Sequence, residues 1–386
     1  MHRSGTSTTS GMLYMLGLDL GKAVMGGNES NSRGFFENYR IMLFNEDLYR
    51  RLHVNWHNTL GLHSAWWESE EMQKETERLK MLILDDFTQG THLLFKDPRI
   101  CILLPVYLKA FKELEIEPFF ILTYRNHQEV AESLKTRDTF PTEKSFRIWI
   151  DHMLMAEKHS REYSRIFIDY NNILADPISM LEKVISAFSL DFPLVTTVRE
   201  KIIQFVEPDL NHSGRRSVGD VYANDHRFNT IFEMFRQFSS RQITVNEQDE
   251  LDRFAEDFYS SYGPLKWPKF SIITSVKNES VALEETILSV VSQDYPNLEY
   301  VLIDRDPDKP TFEIIEKYKY LLSHRVNTQD QIQSDAIRKG LALASGEWVT
   351  IFNAGDKFIN HGSLWKLVRM FPEHCQIAGR KSLLHD

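Results

Sequence analysis

The sequence predicts a two-part α/β protein, in which a parallel sheet flanked by helices is followed by a second, partial α/β unit. Short apolar runs of strand length alternate with longer amphipathic stretches of helical periodicity. A stretch containing glycine and proline, 262–268, separates two such series. A chain of 386 residues is long enough for two or three domains, each with its own core.

The composition argues against several classes of function. The 45 basic and 55 acidic residues give a formal net charge of −10, which argues against a broad nucleic-acid-binding surface. Cys101 and Cys375 lie far apart and fit no metal-binding spacing, so we expect a reducing, cytoplasmic location without a disulfide framework. No apolar run reaches the roughly 18 residues of a membrane span, and no signal peptide is visible.

The chain opens on a hydroxyl-rich loop that leads into a helix. Residues 2–10 are His-Arg-Ser-Gly-Thr-Ser-Thr-Thr-Ser, and apolar residues follow at helical spacing. Backbone N–H groups, the positive end of the helix dipole, hydroxyls and Arg3 converge there, as in phosphate-binding loops. The alternative is a hydroxyl-rich cap on a frayed terminus. Because such a loop normally follows a buried strand, we expect the first strand of this sheet to be missing.

Helices and short buried strands alternate along residues 1–262. We predict strands at His92–Phe95, Phe119–Tyr124 and Arg165–Asp169, with helices at 38–53, 68–87, 101–111, 128–135 and 177–188 and a polar, helical stretch from 195 to 262. Ligands of parallel sheets bind beyond the carboxyl ends of the strands. Arg3, Lys96 and Arg125 lie at or just past predicted strand ends, so we expect them to converge.

A linker at 263–268 leads to the second α/β unit, residues 269–386. Its predicted elements are strands at Phe270–Val276, 299–304 and 347–352, and helices at 281–292, 311–321 and 331–344. The predicted domains are therefore 1–262 and 269–386.

Several motifs of residues 1–260 recur together in one enzyme family. Arg3-Ser4-Gly5-Thr6-Ser7-Thr8 is similar to its 5′-phosphosulfate loop, and Arg125, followed eight residues later by Ser133, is similar to its 3′-phosphate motif. Gly34–Asn38, Lys96–Arg99 and Phe167–Tyr170 recur in bacterial members. Residues 1–260 thus resemble the sulfotransferases that use 3′-phosphoadenosine-5′-phosphosulfate (PAPS). The resemblance implies a P-loop-like fold and the transfer of a sulfuryl group to a hydroxyl, of a glycan or another small molecule, without a metal.

The resemblance also implies roles for individual residues. Arg3 and the loop residues Ser4, Gly5, Thr6, Ser7 and Thr8 hold the 5′-phosphate, and Arg3 and Lys96 stabilise the leaving oxygen. Glu37 is the expected general base, with His53 and His57 as rivals. Arg125 and Ser133 hold the 3′-phosphate, and Arg137, Arg215 and Arg216 are candidates for the same pocket. The alternatives are a surface lysine in a turn for Lys96 and a helix-capping carboxylate for Glu37.

The second unit carries motifs of a different family. Phe270–Glu279, Glu285–Val290, Gln293–Tyr300 and Gln333–Ile337 are similar to the N-terminal half of inverting family-2 glycosyltransferases, which have the GT-A fold. In that family Asp304 would lie where the uracil-type base binds. Asn353-Ala354-Gly355-Asp356 has one carboxylate where the family has a metal-binding Asp-x-Asp, and Arg305–Asp308 replaces a glycine-rich turn.

From these departures, and because the half that binds the acceptor is absent, we expect the second unit to be a truncated or degenerate appendage. Two other functions stay open. One is a glycosyltransferase that uses a nucleotide sugar, with the N-terminal part as an auxiliary domain. The other is a nucleotide-binding protein or scaffold without catalysis. The sequence does not indicate the oligomeric state.

Overall fold

The computed structural model describes residues 1–27, 34–52, 54–58, 62, 65–87, 90, 92–206, 226–262, 268–305, 309–328 and 332–370. By its internal contacts the chain divides into two compact units. Unit 1 comprises Met1–Asn45, Ala65–Ser133 and Trp149–Asp252; unit 2 comprises Glu46–Ser64, Leu134–Ile148 and Arg253–Asp386. Most of the predicted linker, 263–267, lies outside the described residues, and the boundaries at 262 and 269 stay a prediction.

Helices dominate residues 1–262. They are α1 (Thr6–Leu16), α2 (Tyr39–Arg51), α3 (Glu70–Asp86), α4 (Ile100–Glu113), α5 (His127–Asp138), α6 (Thr142–His159), α7 (Tyr170–Ala175), α8 (Pro177–Ala187), α9 (Thr196–Phe205), α10 (His226–Phe238) and α11 (Val245–Tyr262). Capping residues mark some of their starts: Ser69 accepts a hydrogen bond from the N–H of Met72 at α3, and Asp176 caps α8 ahead of Pro177.

Unit 1 holds a parallel strand pair, β1 (Phe120–Tyr124) and β2 (Arg165–Asp169), which pair from Phe120 opposite Arg165 to Tyr124 opposite Asp169. The predicted strand at His92–Phe95 forms only an isolated parallel bridge, between Leu93 and Asp19. A cavity of about 630 Å³ is lined by Leu93–Lys96 and also by Phe119–Thr123. Among the described residues, 92–95 therefore border this cavity and form no ladder with β1.

Helix α1 begins at a glycine that no other residue replaces without strain. Gly5 has φ +85°, in the left-handed region, and a Cβ there would lie 2.2 Å from Cδ2 of Tyr170. The buried side of α1 packs in an apolar cluster with β2, α7 and α8, through Met12, Leu13, Ile168, Ile173, Leu181 and Val184. The loop before α1 is therefore fixed against the carboxyl end of β2.

Unit 2 is built on a four-stranded parallel sheet, in the order β5–β4–β3–β6. Its elements are β3 (Phe270–Val276), α12 (Ser280–Val291), β4 (Leu298–Asp304), α13 (Lys309–Tyr318), β5 (His324–Asn327), α14 (Gln333–Leu343), β6 (Trp348–Asn353) and α15 (Ser363–Met370). Every residue of β3 and β4 is buried, as expected for central parallel strands covered on both faces. Gly340 allows α14 to approach the sheet, since a Cβ there would lie 2.6 Å from Cγ2 of Ile273.

A buried carboxylate ties together the strands of unit 2. Glu299 on β4 is fully buried and accepts hydrogen bonds from the hydroxyls of Ser271 and Ser345 and from the N–H of Ser345. Lys269 Nζ lies 3.5 Å from one of its oxygens. Burial alone would raise the pKa of Glu299, but His324, Lys269 and these hydrogen bonds lower it to about 2.

The segment 134–148 also belongs to unit 2 and contacts the end of α12. Arg147 forms an ion pair of 2.8 Å with Asp294, and Lys144 donates a hydrogen bond to the carbonyl of Val291. Burial, together with the charge of Arg147, lowers the pKa of Lys144 to about 7.

Both units contain parallel strands flanked by helices. The two predicted α/β series are confirmed at this level of fold class.

Candidate functional site

At the start of α1, the N-terminal loop of unit 1 presents backbone amides that have no helical acceptor among the described residues. Arg3 and Gly5 both have left-handed backbone angles, and the N–H of Thr9 makes the first helical hydrogen bond, to the carbonyl of Gly5 at 3.0 Å. The amides of Thr6, Ser7 and Thr8 precede that bond, so the helix itself does not use them. The side chain of Ser4 is fully buried, and its Oγ has no hydrogen-bond partner among the described residues.

Arg3 and Ser133 meet in the structure. Nε of Arg3 donates a hydrogen bond of 2.7 Å to Oγ of Ser133, which lies on α5. The two predicted phosphate ligand segments, 130 positions apart, are therefore in direct contact. A basic group, a hydroxyl and free amides at one helix start form a cluster suited to an oxyanion.

Lys96 is buried beside the same loop and pairs with Glu37. Its Nζ donates to the carboxylate of Glu37, to Oγ of Ser7 at 3.1 Å and to the carbonyl of Phe35 at 3.0 Å. Both side chains of the ion pair are only 8% exposed. Burial raises the pKa of Glu37, and the charge of Lys96 opposes that rise. Lys96 is therefore not the surface lysine of the alternative interpretation.

Arg125 lies at the carboxyl end of β1, as predicted, and is buried. Its Nε donates to Glu129 at 2.7 Å, and its guanidinium carbon lies 4.9 Å from the ring centroid of Tyr170. The carbonyl of Arg125 accepts a 3.1 Å hydrogen bond from the indole of the fully buried Trp149. Burial raises the pKa of Tyr170, with Arg125 opposing. Arg125 is thus held on both its backbone and its side chain.

The remaining candidates lie elsewhere or outside the description. Arg137 pairs with Asp138 at 2.7 Å and lies over the ring of Trp56 within unit 2. His57, also in unit 2, is buried against Phe140, and burial holds its pKa well below the usual range. His53, Arg215 and Arg216 lie outside the described residues.

In unit 2 the strand register brings polar residues to one edge of the sheet. Val276 is opposite Asp304 across β3 and β4, and Ser275 is opposite Asn353 across β3 and β6. All of these residues lie at carboxyl ends of strands, where ligands of parallel α/β sheets bind. Asp304 is fully buried, and Oγ of the buried Ser275 has no hydrogen-bond partner among the described residues. The sequence motifs alone did not single out Ser275, because its position opposite Asn353 depends on the register between β3 and β6.

A tight turn follows β6 at this edge. Oδ2 of Asp356 accepts hydrogen bonds from the backbone N–H of Asn353 at 2.8 Å and from its Nδ2 at 3.2 Å. Gly355 has φ +96°, and its N–H donates to Oγ1 of Thr286 at 2.8 Å. Oδ1 of Asn353 accepts from the side chain of Gln333. The polar groups of the turn are therefore committed largely to holding its own shape.

The parallel sheet of unit 2 thus ends on one polar edge, formed by the carboxyl ends of its strands. Residues 271–379 match the family model described as Glycosyl transferase family 2, which assigns this segment to a family-2 glycosyltransferase domain.

Curated relatives agree with this assignment. A PGL/p-HBAD biosynthesis glycosyltransferase of Mycobacterium bovis is 28% identical over 110 residues, which cover 28% of this chain and 43% of the relative. The Staphylococcus aureus poly(ribitol-phosphate) beta-N-acetylglucosaminyltransferase TarS is 30% identical over 114 residues, which cover 28% and 19%. The chain spans less than half the length of these relatives. A solved mannosyltransferase from Pyrobaculum calidifontis, in complex with GDP-Man and Mn²⁺, is 25% identical with a TM-score of 0.24, covering 25% of this chain and 30% of that one.

These findings correct the expected activity. The prediction of a PAPS-dependent sulfotransferase, with PAPS as cofactor and adenosine 3′,5′-bisphosphate as product, is wrong, because the matched family and relatives are glycosyltransferases. The expectation that residues 269–386 are only an appendage is corrected by the same match. The physical reason for the error is that a hydroxyl-rich helix start binds oxyanions of many kinds and does not specify the reaction. An anion-binding role for Arg3–Thr8, Lys96, Arg125 and Ser133 stays a prediction.

The family resemblance implies a divalent cation held by Asp-x-Asp, and the residues of unit 2 do not fit one. The corresponding turn offers a single carboxylate, Asp356, which already accepts two hydrogen bonds from Asn353. Within the described ranges no group of three or more His, Cys, Asp and Glu side chains is placed to hold a metal. Mg²⁺, Ca²⁺ and similar cations need several oxygen ligands, so one engaged carboxylate is a poor site.

No helix in the described parts of the chain is both long and apolar enough to cross a bilayer.

Proposed function

We propose that unit 2 binds the nucleoside diphosphate part of a nucleotide sugar, and that the protein transfers the sugar to a hydroxyl-bearing acceptor. One observation carries this proposal. The segment that matches the glycosyltransferase family is the same segment whose parallel sheet places Asp304, Ser275 and Asn353 at its carboxyl edge. Unit 1 then has an auxiliary role. Glycan and lipid-linked acceptors, which the names of the relatives suggest, are the acceptor classes that we propose.

Asp304 is the residue of this edge that we assign to the nucleoside. Its side chain is fully buried at the end of β4, and its backbone is anchored because its carbonyl accepts a 2.8 Å hydrogen bond from the N–H of Thr328. A fixed carboxylate accepts hydrogen bonds from a base N–H or from ribose hydroxyls. Ser275, on the neighbouring strand, offers a hydroxyl that no described residue uses.

Isothermal titration calorimetry with UDP and GDP tests the proposal. We expect one of the two nucleotides to bind the full chain, and Asp304→Asn to weaken that binding by about 10- to 100-fold, because a charged acceptor becomes a neutral amide. Uridine and guanosine, which lack the diphosphate, should bind more weakly than the nucleotides.

Asp335→Asn is the matched control. Asp335 lies on α14 with a 44% exposed side chain and pairs only loosely, at 3.4 Å, with Arg338. The control should leave nucleotide affinity within about twofold of the wild-type value. No binding of either nucleotide, or an equal loss in the two variants, would contradict the assignment of this edge.

A specific contact also favours a second function, the binding of a phosphate-type oxyanion by unit 1. We propose that the P-loop-like start of α1, with Arg3, Ser4 and Ser133, holds one such group, and that Lys96 and Arg125 add positive charge nearby. The 2.7 Å hydrogen bond between Arg3 and Ser133 supports this, because it joins two sequence-distant segments at a helix N-terminus. The buried, unbonded hydroxyl of Ser4 supports it as well.

A further inference from the structure

We infer that unit 2 binds its nucleoside diphosphate without a divalent cation and that Arg305 supplies the positive charge in its place. This inference rests on the proposed function of unit 2. Two diphosphate-binding strategies are available to a site of this kind: a metal ion held by carboxylates, or a fixed cationic side chain that donates hydrogen bonds. The hydrogen-bond donors and acceptors at the carboxyl edge of the unit 2 sheet favour the second strategy.

The polar groups of the turn after β6 largely satisfy one another with hydrogen bonds. Asp356 receives two hydrogen bonds from Asn353, through the backbone N–H and through Nδ2. The Nδ2 contact is specific to an amide: an aspartate at position 353 would place a second negative oxygen about where this donor now lies. In this sequence the two side chains satisfy one another, whereas two carboxylates would repel until a cation joined them.

Gly355 makes a second carboxylate unfavourable at its own position. Its φ of +96° is a backbone conformation that residues with a side chain rarely adopt. Its N–H is held by Oγ1 of Thr286 at 2.8 Å and by the carbonyl of Ala282 at 3.2 Å, so the turn is anchored to α12 in this shape. The turn therefore provides one carboxylate and no geometry that favours a second.

Arg305 occupies the opposite part of the same edge, directly after Asp304. Its N–H donates a 3.0 Å hydrogen bond to the carbonyl of Val276, which fixes its backbone between the ends of β3 and β4. Its side chain is partly buried, and Nε has no hydrogen-bond partner among the described residues. A guanidinium is always charged and offers paired donors that match phosphate oxygens.

Other cations near this edge are already engaged. Lys339 donates to Oγ1 of Thr328 at 2.6 Å, and Lys357 pairs with Glu285 at 3.1 Å. Arg305 is thus the cation of the described edge that combines a fixed backbone, partial burial and an unused donor. The turn after β6 offers one carboxylate that is already hydrogen-bonded, and Arg305 offers an unused donor. In our inference a side chain of the protein therefore supplies the positive charge that balances the diphosphate.

Calorimetry of the full chain with UDP and GDP, once in EDTA and once in excess Mn²⁺, tests the inference. We expect the two affinities to agree within about twofold, since no step of binding requires the metal. Binding that tightens more than about tenfold in Mn²⁺ would overturn the inference while leaving the proposed function intact. Failure of both nucleotides to bind in either buffer would instead refute the proposed function, and the inference with it.

Arg305→Gln identifies the source of the charge. In EDTA we expect the variant to lose at least about tenfold in affinity for the diphosphate, with little change for the uncharged nucleoside. Arg338→Gln is the matched control, because Arg338 has a 79% exposed side chain on α14, and its affinity should stay within about twofold. Equal affinities in the Arg305 variant and the wild type would overturn the assignment to Arg305.

Asn353→Asp tests the turn from the other direction. It replaces the Nδ2 donor that lies 3.2 Å from Asp356 with a second carboxylate oxygen, so it creates the pair that binds a cation. We expect the melting temperature of this variant, but not that of the wild type, to rise with added Mn²⁺ in the absence of nucleotide. A wild-type protein that Mn²⁺ stabilises as strongly as the variant would contradict the inference.

Discussion

Arg3 and Ser133 show at the scale of single residues what motif spacing does and does not establish. The sequence predicted both as phosphate ligands, and the structure places them 2.7 Å apart, but neither the prediction nor the contact specifies the reaction. The short motifs encode local geometry, a left-handed glycine before a helix and an arginine after a strand, which serves any oxyanion. The identity of the transferred group depends on atoms that these motifs do not contact.

The oxyanion proposal for unit 1 is tested at this scale by Arg3→Met. Inorganic phosphate is titrated into the full chain and followed by phosphorus NMR, and we expect the variant to bind about tenfold more weakly because a charged donor is lost. Arg50→Met is the control, since Arg50 has a 53% exposed side chain and pairs with Asp47. Unchanged phosphate affinity in the Arg3 variant would remove Arg3 from the site.

At the scale of elements, periodicity predicted where strands and helices lie better than how they pair. The predicted strands Phe119–Tyr124 and Arg165–Asp169 match β1 and β2 to within one residue, because buried apolar runs are a local signal. His92–Phe95 carries the same signal but forms a single bridge, because pairing depends on what lies beside it. The pairing of Ser275 with Asn353 and of Val276 with Asp304 likewise follows from register between strands distant in sequence.

The start of α1 yields a prediction for an element. Gly5→Ala should lower the free energy of unfolding by about 2 kcal/mol or more, because the new Cβ adopts a left-handed φ and overlaps the ring of Tyr170. Gly26→Ala is the control, since a Cβ there meets no atom within 4 Å, and it should change stability by less than about 0.5 kcal/mol. Urea denaturation measures both. Equal free energies of unfolding in the two variants would contradict the prediction, because they would show that position 5 accepts a side chain without strain.

At the scale of the whole molecule, the chain contains two units, each made of several separate segments of the sequence. Local sequence patterns did not predict which segments belong to which unit. Residues 46–64 and 134–148 group with the second α/β series in the contact division of the chain. Their ties to it, such as Arg147 to Asp294, join positions 147 apart, and no periodicity or composition shift marks such a pair. The sequence indicated the fold class of each unit because that depends on local alternation of strands and helices.

Acid stability is a property of unit 2 as a whole, and Glu299 predicts its direction. Folding holds the pKa of Glu299 at about 2, below its ordinary 4.5, so the unfolded chain takes up the proton first as the pH falls. The contribution of Glu299, on the order of 3 kcal/mol, is present above about pH 4.5 and is lost as the pH falls towards 2.

Urea denaturation between pH 6 and pH 2, followed for the wild type and Glu299→Gln, measures this contribution. The wild type should be more stable at the upper end, and the difference between the two proteins should shrink through the window of about 4.5 to 2. Glu313→Gln, at a 64% exposed position on α13, is the control and should follow the wild type. A difference between wild type and Glu299→Gln that is independent of pH would contradict the shifted pKa.

The hydrogen bond from the Trp149 indole to the carbonyl of Arg125 also gives unit 1 an optical reporter. The ring is fully buried, and its only polar atom is tied to the backbone of a residue assigned to the oxyanion cluster. Indole fluorescence responds to the field and hydrogen bonding at that nitrogen. An anion that draws Arg125 away from Glu129 should therefore shift the contribution of Trp149, one of seven tryptophans, to the emission of the protein.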